Sequence, residues 1–232
     1  MSEPSHRTPV ASTADDRVAK GLRGFGPLGI VAFLLILAGN SFIVPLGAIL
    51  VLGWAWQSQT PWREIGFVRP ESWVRTLIIG LALGCALKLV MKAIVMPLLG
   101  APPINQAFHY LAGNTHALPG ILYTVIVGAG LGEEIFFRGY LFERFGKLFG
   151  TSTWAKAAIV TITSIWFGLE HYGFQGLPGV QQATIVGLVF GTIFAITGRI
   201  WLLIIAHAAF DLTAVAIIYW DIEAAVAHSI LK

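Results

Sequence analysis

Charged residues and cysteines are scarce in this sequence. Of 232 residues only 12% are charged while 56% are hydrophobic, and the mean hydropathy is +0.76. A soluble domain usually carries about 25% charged residues, so this composition excludes an ordinary soluble domain and is typical of a polytopic membrane protein. The single cysteine, Cys85, excludes an intramolecular disulfide and a cysteine-based metal cluster.

Long apolar runs predict an all-α fold, a polytopic transmembrane helical bundle of about seven spans within a range of six to eight. Residues 1–24 are polar and predict a flexible cytoplasmic tail, which leaves residues 25–232 as a single transmembrane domain. The predicted spans cover residues 27–39, 42–56, 73–99, 118–142, 153–171, 180–197 and 200–220. In an alternative, residues 26–56 form one tilted and kinked helix.

The placement of lysine and arginine predicts the orientation of these spans. Eleven of the 15 lie in segments that seven spans would leave on one side, including the tail, whereas residues 101–116 and 172–179 contain none and are predicted to be outside loops. Because cytoplasmic loops carry the excess of basic residues, the N-terminus is expected in the cytoplasm. Lys88 and Lys92 are predicted to snorkel to the far interface, with a role facing a polar cavity as the alternative.

Three charges interrupt the apolar fourth span. In a bilayer each one costs about 2.5–3.5 kcal/mol on insertion scales, so it should be paired or used. Glu134 and Arg138 are four residues apart, share a helix face, and are expected to form an ion pair. Glu133 then points about 100° away and is free for another task.

Spacing brings Glu133 level with His171 on the next span. The turn between the two spans is centred on Ser152, which is 19 residues from each of them. At about 1.5 Å per residue in an antiparallel helical hairpin, both side chains lie at the same depth.

The last span adds a second histidine and a carboxylate at a compatible depth. His207 lies about 12 Å along this span from its start near Arg199, by the same rise. Asp211 is four residues further on, so imidazole and carboxyl face one side. Three spans therefore predict a shared polar site inside the membrane.

Two chemistries suit such a set of residues. A carboxylate beside an imidazole can deprotonate a water while a second imidazole stabilises an oxyanion. Alternatively, two histidines with Glu or Asp hold a divalent ion such as zinc, which activates the water itself. Either arrangement hydrolyses a peptide bond, and HExxH, GxGD and GxSG motifs are absent. The candidate metal ligands are Glu133, His171, His207 and Asp211.

Taken together, three short motifs resemble those of a known family. They are a Glu-Glu-x-x-x-Arg motif, a Phe-x-x-x-His motif and a His-x-x-x-Asp motif, formed by Glu133, Glu134, Arg138, Phe167, His171, His207 and Asp211. In this order they resemble the CPBP family, the CAAX-protease and bacteriocin-processing group, also called Abi or type II CAAX prenyl endopeptidases. The resemblance covers about residues 118–211, the expected catalytic core.

The resemblance implies an intramembrane endopeptidase that cleaves a membrane-associated or lipidated, CAAX-like protein or peptide. It assigns Glu133 and His171 to activation of the attacking water, and His207 with the residue-211 position to the oxyanion. Glu134, Arg138 and Phe167 would support the site. Members are commonly classed as metalloproteases, although a metal-independent glutamate mechanism is also argued for the family.

Two carboxylates depart from this pattern. Asp211 stands where Asn is common, and an ionised Asp cannot donate a hydrogen bond to an oxyanion. It must be protonated, orient His207, or ligate a metal. Glu170, next to His171, points elsewhere and could pair with Lys88 or Lys92.

Other functions stay open at this point. The same fold could serve as a non-proteolytic scaffold or a bacteriocin self-immunity protein that binds a partner, or as an ion or proton carrier. We expect an integral protein of a bacterial or archaeal plasma membrane whose partners are lipid and a peptide or protein substrate, without nucleic acid.

Overall fold

The computed structural model describes residues 14–42 and 44–230 of the chain. This part is helical and contains no strand, which confirms the all-α prediction. We number the helices α1 (Ala14–Arg23), α2 (Pro27–Phe42), α3 (Val44–Gln57), α4 (Trp73–Leu98), α5 (Thr115–Phe149), α6 (Thr153–Glu170), α7 (Tyr172–Thr197), α8 (Trp201–Tyr219) and α9 (Glu223–Ala227).

Four helices are long and apolar enough to cross a membrane: α4, α5, α7 and α8. A fifth span results if α1 and α2, bent by 59° at their junction, are taken together. Seven spans are therefore not confirmed. α3 is too short to cross a membrane by itself, and the apolar character of α6 is reduced by Lys156, Glu170 and several hydroxyl side chains.

The N-terminal prediction needs a correction. Residues 1–13 lie outside the described part, but Ala14–Arg23 forms helix α1 instead of a flexible tail. Two side chains of the bundle hold its end. Trp54 Nε1 donates to the carbonyl of Leu22 at 3.1 Å, and the buried guanidinium of Arg144 donates to the carbonyls of Arg23 and Gly24 at 2.9 and 2.8 Å. These bonds satisfy carbonyls that a helix end leaves unpaired.

Two helices, α2 and α3, replace the single kinked helix considered for residues 26–56. The predicted outside loop at 172–179 was wrong, because α7 already begins at Tyr172. Its helical course is broken only at Gly176, which takes φ 62° and ψ −157°. Only glycine adopts this conformation at low cost, and Pro178 suits the first turn of the helix that resumes there.

α4 and α8 pack against each other unusually closely. A Cβ on Gly84 would lie 2.1 Å from the carbonyl oxygen of Ala206 and 2.7 Å from Cβ of Ala209. Gly80, one turn earlier, faces Ile205 in the same way. Small residues four apart let helix backbones approach in a membrane. Every residue from Ile135 to Leu141 of α5 is also buried, so the charged stretch lies inside protein.

Candidate active site

Helix α5 is wound wider than an α-helix on both sides of Glu134. Thr124–Glu133 and Ile135–Leu141 are π-helical. Such turns are rare in proteins and occur frequently at functional sites. The two neighbouring glutamates face different surroundings: Glu134 is completely buried, while the Glu133 side chain is 17% exposed and lines a cavity.

Glu134 joins two other helical positions through one oxygen. Its Oε1 lies 2.8 Å from Nη1 of Arg138, which confirms the predicted ion pair. The same oxygen lies 2.7 Å from Nδ1 of His207 on α8. The Arg138 guanidinium also lies over the rings of Phe167 and Phe190, at 4.9 and 5.7 Å from their centroids. The ion pair therefore holds an imidazole in addition to neutralising two buried charges.

The other nitrogen of His207 faces two carboxylates. When Nδ1–H donates to Glu134, Nε2 is directed toward Oε2 of Glu133 and Oδ2 of Asp211, each 3.7 Å away. The ring is enclosed by Phe167 and Phe190, whose centroids lie 5.9 and 5.7 Å from its own. The orientation of His207 is thus fixed from one side by a carboxylate and from two others by aromatic rings.

His171 ends α6 with its tautomer fixed by the backbone. Its Nδ1 lies 2.8 Å from the carbonyl oxygen of Phe167, and only a protonated Nδ1 can donate there. In the neutral imidazole Nε2 then carries the lone pair. The Phe167 ring packs edge-on against the imidazole at 4.8 Å between centroids, so Phe167 contacts both histidines.

One cavity of about 170 Å³ has all four candidate side chains in its wall. Glu133 contributes from α5, His171 from α6, and His207 and Asp211 from α8. Much of the remaining wall is apolar and includes Ile121, Val125, Val215 and Ile218. A carboxylate, two imidazoles and a second carboxylate therefore meet in a largely apolar space of the size that holds several waters or a few side-chain groups.

The four residues do not form a ready metal centre. In the part of the chain that the structure describes, no three His, Cys, Asp or Glu side chains are arranged to hold an ion. Nδ1 of each histidine is engaged, by Glu134 or by the Phe167 carbonyl, as in histidines that bind a metal through Nε2; it is the arrangement of the four side chains that is unsuitable. The residues therefore do not fit a three-ligand zinc site as they are placed.

The structure decides between the alternatives left open for two outlying charges. Lys88 does not snorkel: it is buried, donates to Oε1 of Gln182 at 3.0 Å, and lines the cavity. Glu170 pairs with neither lysine, because it accepts from Nε1 of Trp166 at 3.0 Å and Nδ2 of Asn40 at 3.3 Å. Lys88 follows Gly80 and Gly84 at four-residue intervals. This pattern of small residues is the sequence signal that would have placed Lys88 on the inner face of α4.

These features define an integral membrane helical bundle with a buried carboxylate and imidazole site. Residues 115–213 match the family model of the type II CAAX prenyl endopeptidases, described as Rce1-like. This match confirms the resemblance to the CAAX protease family over the segment that carries every candidate site residue. No curated protein and no solved structure gave a significant match.

Proposed function

We propose that this protein is an intramembrane endopeptidase that cleaves a membrane-associated or lipidated, CAAX-like protein by a water activated between Glu133 and His171. The observation that carries the proposal is the common cavity of Glu133, His171, His207 and Asp211. The family of the matched segment supports it independently.

In the proposed reaction Glu133 is the general base. Its Oε2 is buried and has no hydrogen-bond partner among the described residues, so it is open to a water in the cavity. Glu133 takes one proton from the water while the water oxygen bonds to the scissile carbonyl carbon. His171 orients the same water, which donates its second proton toward the free Nε2.

His207 stabilises the oxyanion that forms. With both ring nitrogens protonated, His207 donates a hydrogen bond from Nε2–H to the tetrahedral oxygen and keeps that proton, while the bond from Nδ1–H to Glu134 holds the ring in this orientation. When the C–N bond breaks, Glu133 returns its proton to the departing amine. Water and one peptide bond thus become a carboxylic acid and an amine.

Asp211 assists His207 in this proposal. Its Oδ2 lies 3.7 Å from Nε2 of that histidine, close enough to influence where the Nε2 proton points. Because it lies in the cavity wall, its protonated form could also donate to the oxyanion directly.

The test is cleavage of a prenylated CAAX-like peptide by the purified protein in lipid vesicles. Glu133→Gln should lower kcat by about 10²–10⁴-fold, the usual contribution of a general base, while the melting temperature stays the same or rises. Glu170→Gln is the matched control, since Glu170 is held by Asn40 and Trp166 and does not line the cavity. Glu170→Gln should therefore keep the wild-type rate.

Full activity in Glu133→Gln would overturn the assignment. Absence of cleavage by the wild type, with an unchanged cellular phenotype in Glu133→Ala and His171→Ala, would favour the scaffold or immunity function. The cleavage rate of the wild-type protein is also measured with a chelator and again after zinc is added. This comparison shows whether cleavage needs a metal, separately from the role of Glu133.

A further inference from the structure

Lys88 is a buried cation in the wall of the candidate active-site cavity. Lys88 is only 6% exposed. Its Nζ donates to Oε1 of Gln182 at 3.0 Å and lies 4.9 Å from the centroid of the Phe210 ring. The Gly84–Ala206 contact explains its position, because Lys88 follows one turn after Gly84 and is carried against α8 beside Phe210. The charge is therefore placed by helix packing and is not free to reach an interface.

Asp211 and Glu223 are near enough to act on the charge of Lys88, but neither forms an ion pair with it. Among residues 14–42 and 44–230, no carboxylate oxygen lies within 4 Å of its Nζ. Lys92, one turn further along α4, is the opposite case: its Nζ lies 3.1 Å from Oε1 of Glu223 and 2.6 Å from the Pro103 carbonyl. An ammonium has three donors and no acceptor. Gln182 takes one donor of Lys88, which leaves two for a ligand.

Lys88 also lies between two cavities. The first is the one that Glu133, His171, His207 and Asp211 line, and the second, of about 60 Å³, extends toward Lys92. Both cavities share Lys88 and three amide side chains, those of Asn105, Gln175 and Gln182. One cation surrounded by amide groups, next to a largely apolar space, is suited to a single carboxylate at the end of an apolar peptide.

We infer that Lys88 binds the C-terminal carboxylate of the substrate and thereby selects chains that end beside the scissile bond. This inference rests on the proposed function. Lys88 and Glu133 line the same cavity, so a chain that has its scissile carbonyl beside Glu133 and ends within this cavity brings its carboxylate into the space that Lys88 faces. Lys88 would then be a specificity residue, and it would take no part in bond cleavage.

The experiment measures binding to the Glu133→Gln protein, so that it does not depend on turnover. The probe is a fluorescein-labelled peptide that ends in a prenylated cysteine and three apolar residues, prepared with a free C-terminal acid and as the C-terminal amide. Binding to protein in nanodiscs is followed by anisotropy against empty nanodiscs. We expect the acid to bind about 10- to 100-fold more tightly than the amide, the range of a charge-assisted hydrogen bond.

Variants of Lys88 then test whether this residue is the source of the preference for the acid over the amide. Lys88→Met should reduce the ratio of the two affinities to about one, and Lys88→Arg should restore part of it. Lys92→Met is the matched control and should keep the full ratio, because its charge is already taken by Glu223. If Lys88→Met fails to fold, Lys88→Gln provides a second uncharged variant that keeps a polar group against Gln182.

Equal affinities for acid and amide, or a preference that survives in the uncharged variants, would overturn the inference. Failure of the proposed function looks different. In that case the wild-type protein cleaves neither peptide, while the preference for the acid and its dependence on Lys88 are still measured in the Glu133→Gln protein.

Discussion

Oε1 of Glu134 lies 2.7 Å from Nδ1 of His207, in a contact that joins residues 73 positions apart. The same oxygen lies 2.8 Å from Nη1 of Arg138. Both glutamate and arginine are essentially inaccessible to solvent. One carboxylate oxygen therefore neutralises a buried guanidinium and orients an imidazole, and these two tasks cannot be removed separately by changing Glu134 alone.

Glu134→Gln is expected to destabilise the protein strongly and to slow cleavage. The neutral amide leaves the buried guanidinium of Arg138 without a counter-charge, and breaking such a pair costs about 3–5 kcal/mol. It also weakens the bond that orients His207. The measurement is the melting temperature in detergent together with kcat for peptide cleavage.

A double variant separates the two tasks. Glu134→Gln combined with Arg138→Met removes both charges and should recover part of the lost stability, since no orphan charge remains. The rate should stay low because the imidazole is still not held by a carboxylate. Recovery of the rate along with the stability would contradict the orienting role of Glu134.

Local spacing predicted some of this site and missed the rest for identifiable reasons. The Glu134–Arg138 pair follows from a four-residue interval on one helix, and it is present. The contact to His207 depends on how α5 and α8 are rotated against each other, which no interval along the chain encodes. The depth argument used a rise of 1.5 Å per residue, although much of α5 is π-helical and has a different rise and twist.

The positions of Lys88 and Glu170 have a common cause. Lys88 was expected to snorkel together with Lys92 because lysines in the outer part of a span usually do, but the glycines before Lys88 let α8 approach and enclose it. The role of Glu170 was left open, with a lysine as one candidate partner, and Asn40 from α2 donates to it instead. In each case neighbouring helices decided the outcome.

Asp211→Asn is predicted to retain cleavage within about tenfold of the wild type. The amide has the same shape and can donate to the developing oxyanion, which an ionised carboxylate cannot do. Asp211→Ala should lose about 10²-fold, comparable to removal of one oxyanion donor. The measurement is kcat/KM for each variant. A much larger loss in the Asn variant than in the Ala variant would show that the charge of Asp211 is itself required.

Gly84→Ala is predicted to destabilise the α4–α8 packing. The new Cβ would stand 2.1 Å from the carbonyl oxygen of Ala206, so the helices must separate, and overpacking of this kind costs about 1–3 kcal/mol. Gly53→Ala on α3 is the control, because a Cβ there meets nothing within 4 Å. It should be neutral or slightly stabilising. Thermal unfolding in detergent compares the two, and equal melting temperatures would show that α4 moves without cost.

His171→Asn and His171→Gln are predicted to differ in stability and activity because they replace different ring nitrogens. The Asn amide nitrogen lies near the position of Nδ1 and can keep the bond to the Phe167 carbonyl, 2.8 Å away in the wild type. It leaves nothing at the position of Nε2, so this variant should melt like the wild type and lose about 10²-fold or more in kcat.

The Gln amide group reaches the position of Nε2 and gives up the bond to Phe167. If the essential feature is the lone pair on Nε2, Gln retains more activity than Asn despite a lower melting temperature. The reverse order would mean that the bond from Nδ1 to the backbone, and hence the shape of the α6 end, is what the site requires of His171.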